Sequence, residues 1–194
     1  TDNYINGSPA IHNRRVVFGG CDALLHVVDV ATGKSLAAID ARSYIAGSVA
    51  LSGDYAYLGH MDNQLLCINL KTKAIVWTYQ DKNFAFYASP AIGDDRIIIG
   101  SRDRRLHCVS RDKGKLLWTF PTRGKIDSSP VICKQRVVFG SMDGRIYIVN
   151  MDDGSLIWSY DIGGAITATP AVADGMIIIG SEDGNVYAFG PISS

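Results

Sequence analysis

Five aspartates sit at nearly equal intervals along the chain: Asp22, Asp62, Asp103, Asp143 and Asp183. Carboxylates gathered in that way could hold a metal ion or exchange protons as general acids and bases. Their neighbours argue for a humbler role. Asp143 and Asp183 each precede a glycine, and the equivalent position holds Ala23, Asn63 and Arg104 in the other copies. Asp followed by Gly marks a tight hairpin turn, in which the carboxylate accepts local backbone hydrogen bonds and the next residue takes positive φ. A residue needed in every copy is needed by the copy, so all five are assigned to structure.

Binding chemistry is better sought where the copies disagree. The third turn reads Ser101-Arg-Asp-Arg-Arg105, and Arg123, Lys125 and Arg145 follow in the next copy. The approach segment Asn83-Phe-Ala-Phe-Tyr87 supplies Phe84, Phe86 and Tyr87 nearby. Arginine and aromatic side chains are enriched at binding hot spots, and together they can anchor an acidic segment of a partner. These nine residues, Arg102, Arg104, Arg105, Arg123, Lys125, Arg145, Phe84, Phe86 and Tyr87, form the candidate partner site. The histidines do not form a comparable set. His26 and His107 share one repeat position that Leu66, Tyr147 and Tyr187 fill elsewhere, which marks a packed residue with a polar tip. No spacing supports a Ser/His/Asp grouping or a phosphate loop, and no catalytic, cofactor or metal residue is assigned.

The elements that position these residues come in repeats. Gly19, Gly59, Gly100, Gly140 and Gly180 each close an apolar triplet, giving a period of about 40 residues and five copies: 4–41, 42–81, 82–121, 122–161 and 162–190. Each copy holds four apolar stretches of strand length, rich in Val, Ile and Tyr, and none is long enough for an ordinary helix. Ile97-Ile-Ile99, Val137-Val-Phe139 and Ile177-Ile-Ile179 lack alternation, so the second strands should be covered on both faces. The fourth strand alternates, with Ile75, Trp77 and Tyr79 on one side and Val76 and Thr78 on the other. Four-stranded antiparallel sheets packed radially about an axis meet these demands, an all-β propeller. In the usual blade winding, the turns after the second strands and the linkers before the first strands emerge together around the axial mouth.

The pattern S-P-[AV] followed by an apolar triplet, G-S-x-D-G-x-[VI]-Y and D-x-G-x-L-x-W-x-[YF] resembles the pyrroloquinoline-quinone-type β-propeller repeat, over about residues 5–190. That family includes quinoprotein dehydrogenases and also propellers without quinone, among them the scaffold lipoprotein of outer-membrane barrel assembly. The quinone enzymes use a vicinal cysteine pair and calcium-binding carboxylates in insertions, and this sequence has no Cys-Cys and no insertion longer than a turn. The resemblance therefore implies the non-quinone branch: a non-catalytic scaffold or binding module for protein or peptide partners, without cofactor, in a periplasmic or other extracytoplasmic setting. Alternatives are a piece of a quinoprotein dehydrogenase or another ligand-binding enzyme, and the sensor region of a signalling protein. Trp77, Trp118 and Trp158 share one repeat position, which assigns them to docking between blades and not to a quinone floor.

The copies also differ structurally. Repeat one has Ala37 and Ile39 where the middle copies carry Trp and an aromatic, so its packing there should be thinner. Repeat two has Lys73 for the glycine of the last turn, which implies that a left-handed backbone is not needed there. Repeat five stops at Gly190-Pro191 without a fourth strand, and residues 1–6 align with a linker. The chain is thus expected to be part of a seven- or eight-bladed propeller, or else a self-closed ring of five. The open edge of repeat five and uncovered blade faces would favour self-association.

Bulk properties agree with a binding module. Lysine plus arginine and aspartate plus glutamate balance at 19 each, so no basic footprint points to nucleic acid, and no apolar run is long enough to span a membrane. Cys21, Cys67, Cys108 and Cys133 are too scattered for a disulfide scaffold or a zinc site, and are read as free, buried or half-buried thiols.

Overall fold

The computed structural model describes residue 1 and residues 3–190. Blade 1 contains β1 (Ala10–His12), β2 (Arg15–Gly19), β3 (Leu24–Asp29) and β4 (Ser35–Asp40). Blade 2 contains β5 (Ala50–Ser52), β6 (Tyr55–Gly59), β7 (Leu65–Asn69) and β8 (Ala74–Tyr79). Blade 3 contains β9 (Ala91–Ile92), β10 (Arg96–Gly100), β11 (Arg105–Ser110) and β12 (Leu116–Pro121). Blade 4 contains β13 (Val131–Cys133), β14 (Arg136–Gly140), β15 (Arg145–Asn150) and β16 (Leu156–Asp161). Blade 5 contains β17 (Ala171–Ala173), β18 (Met176–Gly180) and β19 (Val186–Phe189). Pro191 lies outside the described residues.

Every blade is an antiparallel meander in sequence order. The short first strands of successive blades meet in turn, β1 against β5, β5 against β9, β9 against β13 and β13 against β17, which makes them the innermost elements. Apolar residues of neighbouring sheets then form four cores, one at each junction. Val17, Leu25 and Val27 of blade 1 meet Ala56, Leu58 and Leu66 of blade 2, and Ile98, Leu106 and Cys108 of blade 3 meet Val137, Phe139 and Val149 of blade 4. A sheet between two such cores loses water on both faces, and Ile97, Ile98 and Ile99 are all fully buried. Ile177-Ile-Ile179 departs from this expectation. Ile178 is 46% exposed while Ile179 is buried, because blade 5 packs against blade 4 on one face only.

The tryptophans seal the outer part of the middle junctions. Trp77 Nε1 donates to the Arg111 carbonyl of the next blade at 3.0 Å, and Trp118 Nε1 donates to the Met151 carbonyl at 3.0 Å. Each indole lies flat over a turn glycine of that next blade. A Cβ built on Gly114 would stand 2.5 Å from Cε3 of Trp77, and one on Gly154 the same distance from Cε3 of Trp118. Glycine is required there by close approach as well as by backbone conformation.

Blade 2 corrects one expectation. Lys73 does take a left-handed backbone, with φ of +57°. The turn is unchanged, and what differs is its neighbour: Ala37 of blade 1 stands where the other junctions have Trp, so a side chain fits. Lys73 Nζ reaches back to the Leu36 carbonyl at 3.3 Å. The four cysteines are free thiols, Cys67 and Cys108 buried and Cys21 and Cys133 partly so.

Candidate partner-binding face

The turn after the second strand is built the same way in blades 1, 3, 4 and 5. Asp103 Oδ1 accepts the backbone N–H of Arg105 at 2.9 Å, and its carboxylate also meets His107 Nε2 at 3.1 Å. Asp143 accepts from the Arg145 N–H at 3.1 Å and the Tyr147 hydroxyl at 2.8 Å, and Asp183 accepts from the Asn185 N–H and the Tyr187 hydroxyl. Asp22 repeats the arrangement with the Leu24 N–H and His26. The carboxylate two residues upstream of the third strand thus ties the turn to that strand's own polar tip. Blade 2 has Leu66 at the tip position, which offers no such bond, and the Asp62 N–H donates to His60 Nδ1 at 3.1 Å as those of Asp103 and Asp143 donate to Ser101 and Ser141 Oγ.

Burial is the largest single influence on Asp103 and opposes its charge, but the interactions with His107, Ser101 and the Arg105 N–H together outweigh it and hold the carboxyl below its ordinary range. The other His107 nitrogen meets the buried Tyr79 hydroxyl at 2.9 Å, and burial pushes that phenol well above its usual value. Among the described residues, Asp81, Asp103 and His107 are close enough together to ligate one cation, their ligand atoms lying within 4.8 Å of one another. Both imidazole nitrogens already serve hydrogen bonds, so the geometry is that of a buried structural bridge.

Linkers and turns share one face through main-chain bonds. The N–H of Met61 donates to Tyr44 O at 2.9 Å, that of Arg102 to Ala85 O at 3.2 Å, and that of Met142 to Lys125 O at 2.9 Å. The nine candidate residues do not play equal parts on this face. The Arg102 guanidinium clamps Asp127 with two hydrogen bonds, 3.0 and 2.7 Å, and lies 3.5 Å above the Tyr87 ring, and that pairing raises its pKa. Arg105 lies 3.7 Å from the Asp81 carboxylate and Arg145 2.7 Å from that of Asp161. Phe86 is 2% exposed, packed against Tyr79 and His107, so it supports the face from beneath and cannot touch a partner.

Four of the nine remain open to solvent. Phe84 is 49% exposed. Arg104, Arg123 and Lys125 are exposed, and among the described residues no carboxylate lies within ion-pair distance of any of them. Arg104 also sits at φ +68°, an uncommon backbone for a long side chain. Sequence reasoning missed Met61 and Met142, exposed at the repeat position that Arg102 occupies in blade 3, and Tyr44 on the linker beside Met61. A bulky apolar residue at a turn that is polar in other copies was the available signal.

The family described as outer membrane protein assembly factor BamB matches residues 2–79 and 81–192. The chain belongs to this family. Among solved structures it is similar to BamB from Moraxella catarrhalis, with a TM-score of 0.85 and 19% identity, covering 98% of this chain and 62% of that one. It therefore spans less than two thirds of that relative's length. It is also similar to the computationally designed Ika8 protein, with a TM-score of 0.69 and 18% identity over 98% of this chain and 72% of that one. At such identity the likeness shows the propeller fold. No curated protein matches the sequence. Among the described residues, no helix is long and apolar enough to cross a membrane.

Proposed function

We propose that this BamB-family chain is a protein-binding scaffold that acts outside the cytoplasm, in outer-membrane protein assembly, and that its mouth face docks an acidic, partly apolar segment of a partner. The observation that carries this reading is the split among the basic side chains. Arg102, Arg105 and Arg145 are neutralised by Asp127, Asp81 and Asp161, whereas Arg104, Arg123 and Lys125 stay uncompensated. Beside them stand Phe84, Met61 and Met142, each at least one third exposed. Flexible methionines and aromatic rings adapt to a partner's apolar residues while the open cations steer and register its charge.

A fluorescein-labelled peptide alternating Glu and Phe tests the site by anisotropy. Salt-sensitive binding is expected, weakened at least about tenfold by reversing Arg104, Arg123 and Lys125 to Glu together. Undiminished binding by a folded triple variant overturns the reading. Among the described residues β19 has no strand on its outer side, and with Val186 and Ile178 exposed beside it this further supports self-association of this chain, which a concentration-dependent sedimentation profile would reveal.

A further inference from the structure

At the opposite end of the same strands, blades 2 and 3 are separated by a cleft of about 710 Å³, a size within the roughly 300–1,000 Å³ of small-molecule sites. Its walls are Tyr55, Tyr57, Val76, Trp77 and Leu117, with the Cys67 thiol among them. Neighbouring junctions are filled differently. The first residue of the second strand is Arg15 in blade 1 and Arg96 in blade 3, and both reach across to the following blade, to Asp54 and to the Met151 carbonyl. In blade 2 that position is Tyr55, and the arginine comes from the far side: Arg111 of blade 3, at a position held by Leu70 and Met151 in the blades on either side.

Arg111 reaches back into blade 2. Its Nε donates to the Tyr57 hydroxyl at 3.2 Å, Nη2 to Ser52 Oγ, and Nη1 to the carbonyls of Gly93 and Asp94. All of these acceptors are neutral. Six arginines are half-buried, and Arg15, Arg96, Arg102, Arg105 and Arg145 each have a carboxylate within 4.0 Å. Arg111 is the sixth, and among the described residues it has none. Partly buried cations ordinarily carry a counter-charge. Here the cation faces an open, aromatic-walled cleft.

We propose that this cleft binds a small amphipathic monocarboxylate, an aryl or alkyl acid, with its apolar body against Trp77, Val76 and Leu117 and its carboxylate at Arg111. Arg111 has a second Nη2–H to give, and the Tyr57 hydroxyl proton adds a neutral donor. Burial raises both Tyr57 and the Cys67 thiol, the latter to about 11, so neither contributes a negative charge to the floor at neutral pH. The rim carboxylates face water: Asp94 is exposed, and the side chains of Asp95 and Asp112 are 69% and 67% exposed. Solvent screens them from a single negative charge on the floor, while their number disfavours phosphates and other polyanions.

Titrating the protein with phenylacetate, phenylacetamide, phenethylamine and inorganic phosphate, followed by chemical-shift changes at the Trp77 indole N–H, tests the proposal. The acid should saturate with a Kd near about 1 mM, about fivefold or more tighter than the amide, with the amine and phosphate weaker still. Arg111→Gln should abolish the preference of acid over amide. Because Arg111 also ties blades together, Val76→Asp gives a second route at an exposed position: losing the apolar contact weakens both ligands, and the added charge should weaken the acid about threefold or more beyond the loss seen for the amide. Equal binding of acid and amine, or an acid affinity unchanged in both variants, overturns the assignment.

Discussion

Two junctions built on the same backbone are held by different means. Between blades 3 and 4, Trp118 lies over Gly154, its indole N–H bonded to the Met151 carbonyl. Between blades 1 and 2 the same positions are Ala37 and Lys73, and the contact is a lysine stem with one long hydrogen bond to Leu36 O. Both turn residues adopt left-handed φ, +72° at Gly154 and +57° at Lys73. Glycine at this turn is thus dictated less by the turn than by the ring above it. Where the ring is missing, any residue able to bear the backbone conformation is admitted.

The largest test removes the ring. Trp118→Ala should cost about 3–5 kcal/mol of unfolding free energy, read from denaturant melts, because it opens a cavity and removes the indole's hydrogen bond to the next blade. Gly154→Ala comes next, at about 2–4 kcal/mol, since its Cβ meets the indole at 2.5 Å in an unfavourable φ. Combined with Trp118→Ala it should cost much less than the sum. Full additivity would mean that the two positions act independently, contrary to the geometry.

Transplanting the pair to the weaker junction sharpens the contrast. Ala37→Trp alone should destabilise by about 1–3 kcal/mol through collision with Lys73, and adding Lys73→Gly should recover most of it. His60, in the turn after β6 of blade 2, adds a pH dependence. It is fully buried, its Nε2 has no partner among the described residues, and burial holds its pKa below the ordinary 6.5, with Arg42 acting in the same direction and Gln64 and Asp62 opposing. Since the folded state binds the proton less well than the unfolded one, stability is complete above about pH 6.5 and is lost as pH falls toward the folded value. The slope is at most about 1.4 kcal/mol per pH unit. His60→Ser, the residue found at Ser101 and Ser141, should flatten it, and melts from pH 5 to 8 check this. The smallest effect is Lys73→Gly by itself, a gain of about 0.5–1 kcal/mol from relief of the left-handed backbone.

Much of the architecture was legible because a repeat writes each constraint several times over. The alternation of Ile75, Trp77 and Tyr79 against Val76 and Thr78 correctly separated the buried from the open side of β8. The recurrence of Asp103 and its counterparts gave away the turns, although the bond from each aspartate to the tip of the third strand showed only in three dimensions. The mouth face was less legible. Arg102 and Arg104 stand two residues apart in one turn, and nothing in their local sequence tells that Asp127, 25 residues on, neutralises the first and leaves the second open. Phe84 and Phe86 look alike as well, yet one is exposed and the other is core.

The sequence by itself determined the strands, their order within each blade and the residues that turn the chain, because those depend on periodicity and on contacts close along the chain. Only the tertiary structure decided which charges are spent and which remain. Arg102 against Asp127, Arg111 against the neutral acceptors of blade 2, and Ala37 above Lys73 are all relations between neighbouring blades. Charge compensation and close approach depend on distance in space, and the repeat period places the partners tens of residues apart.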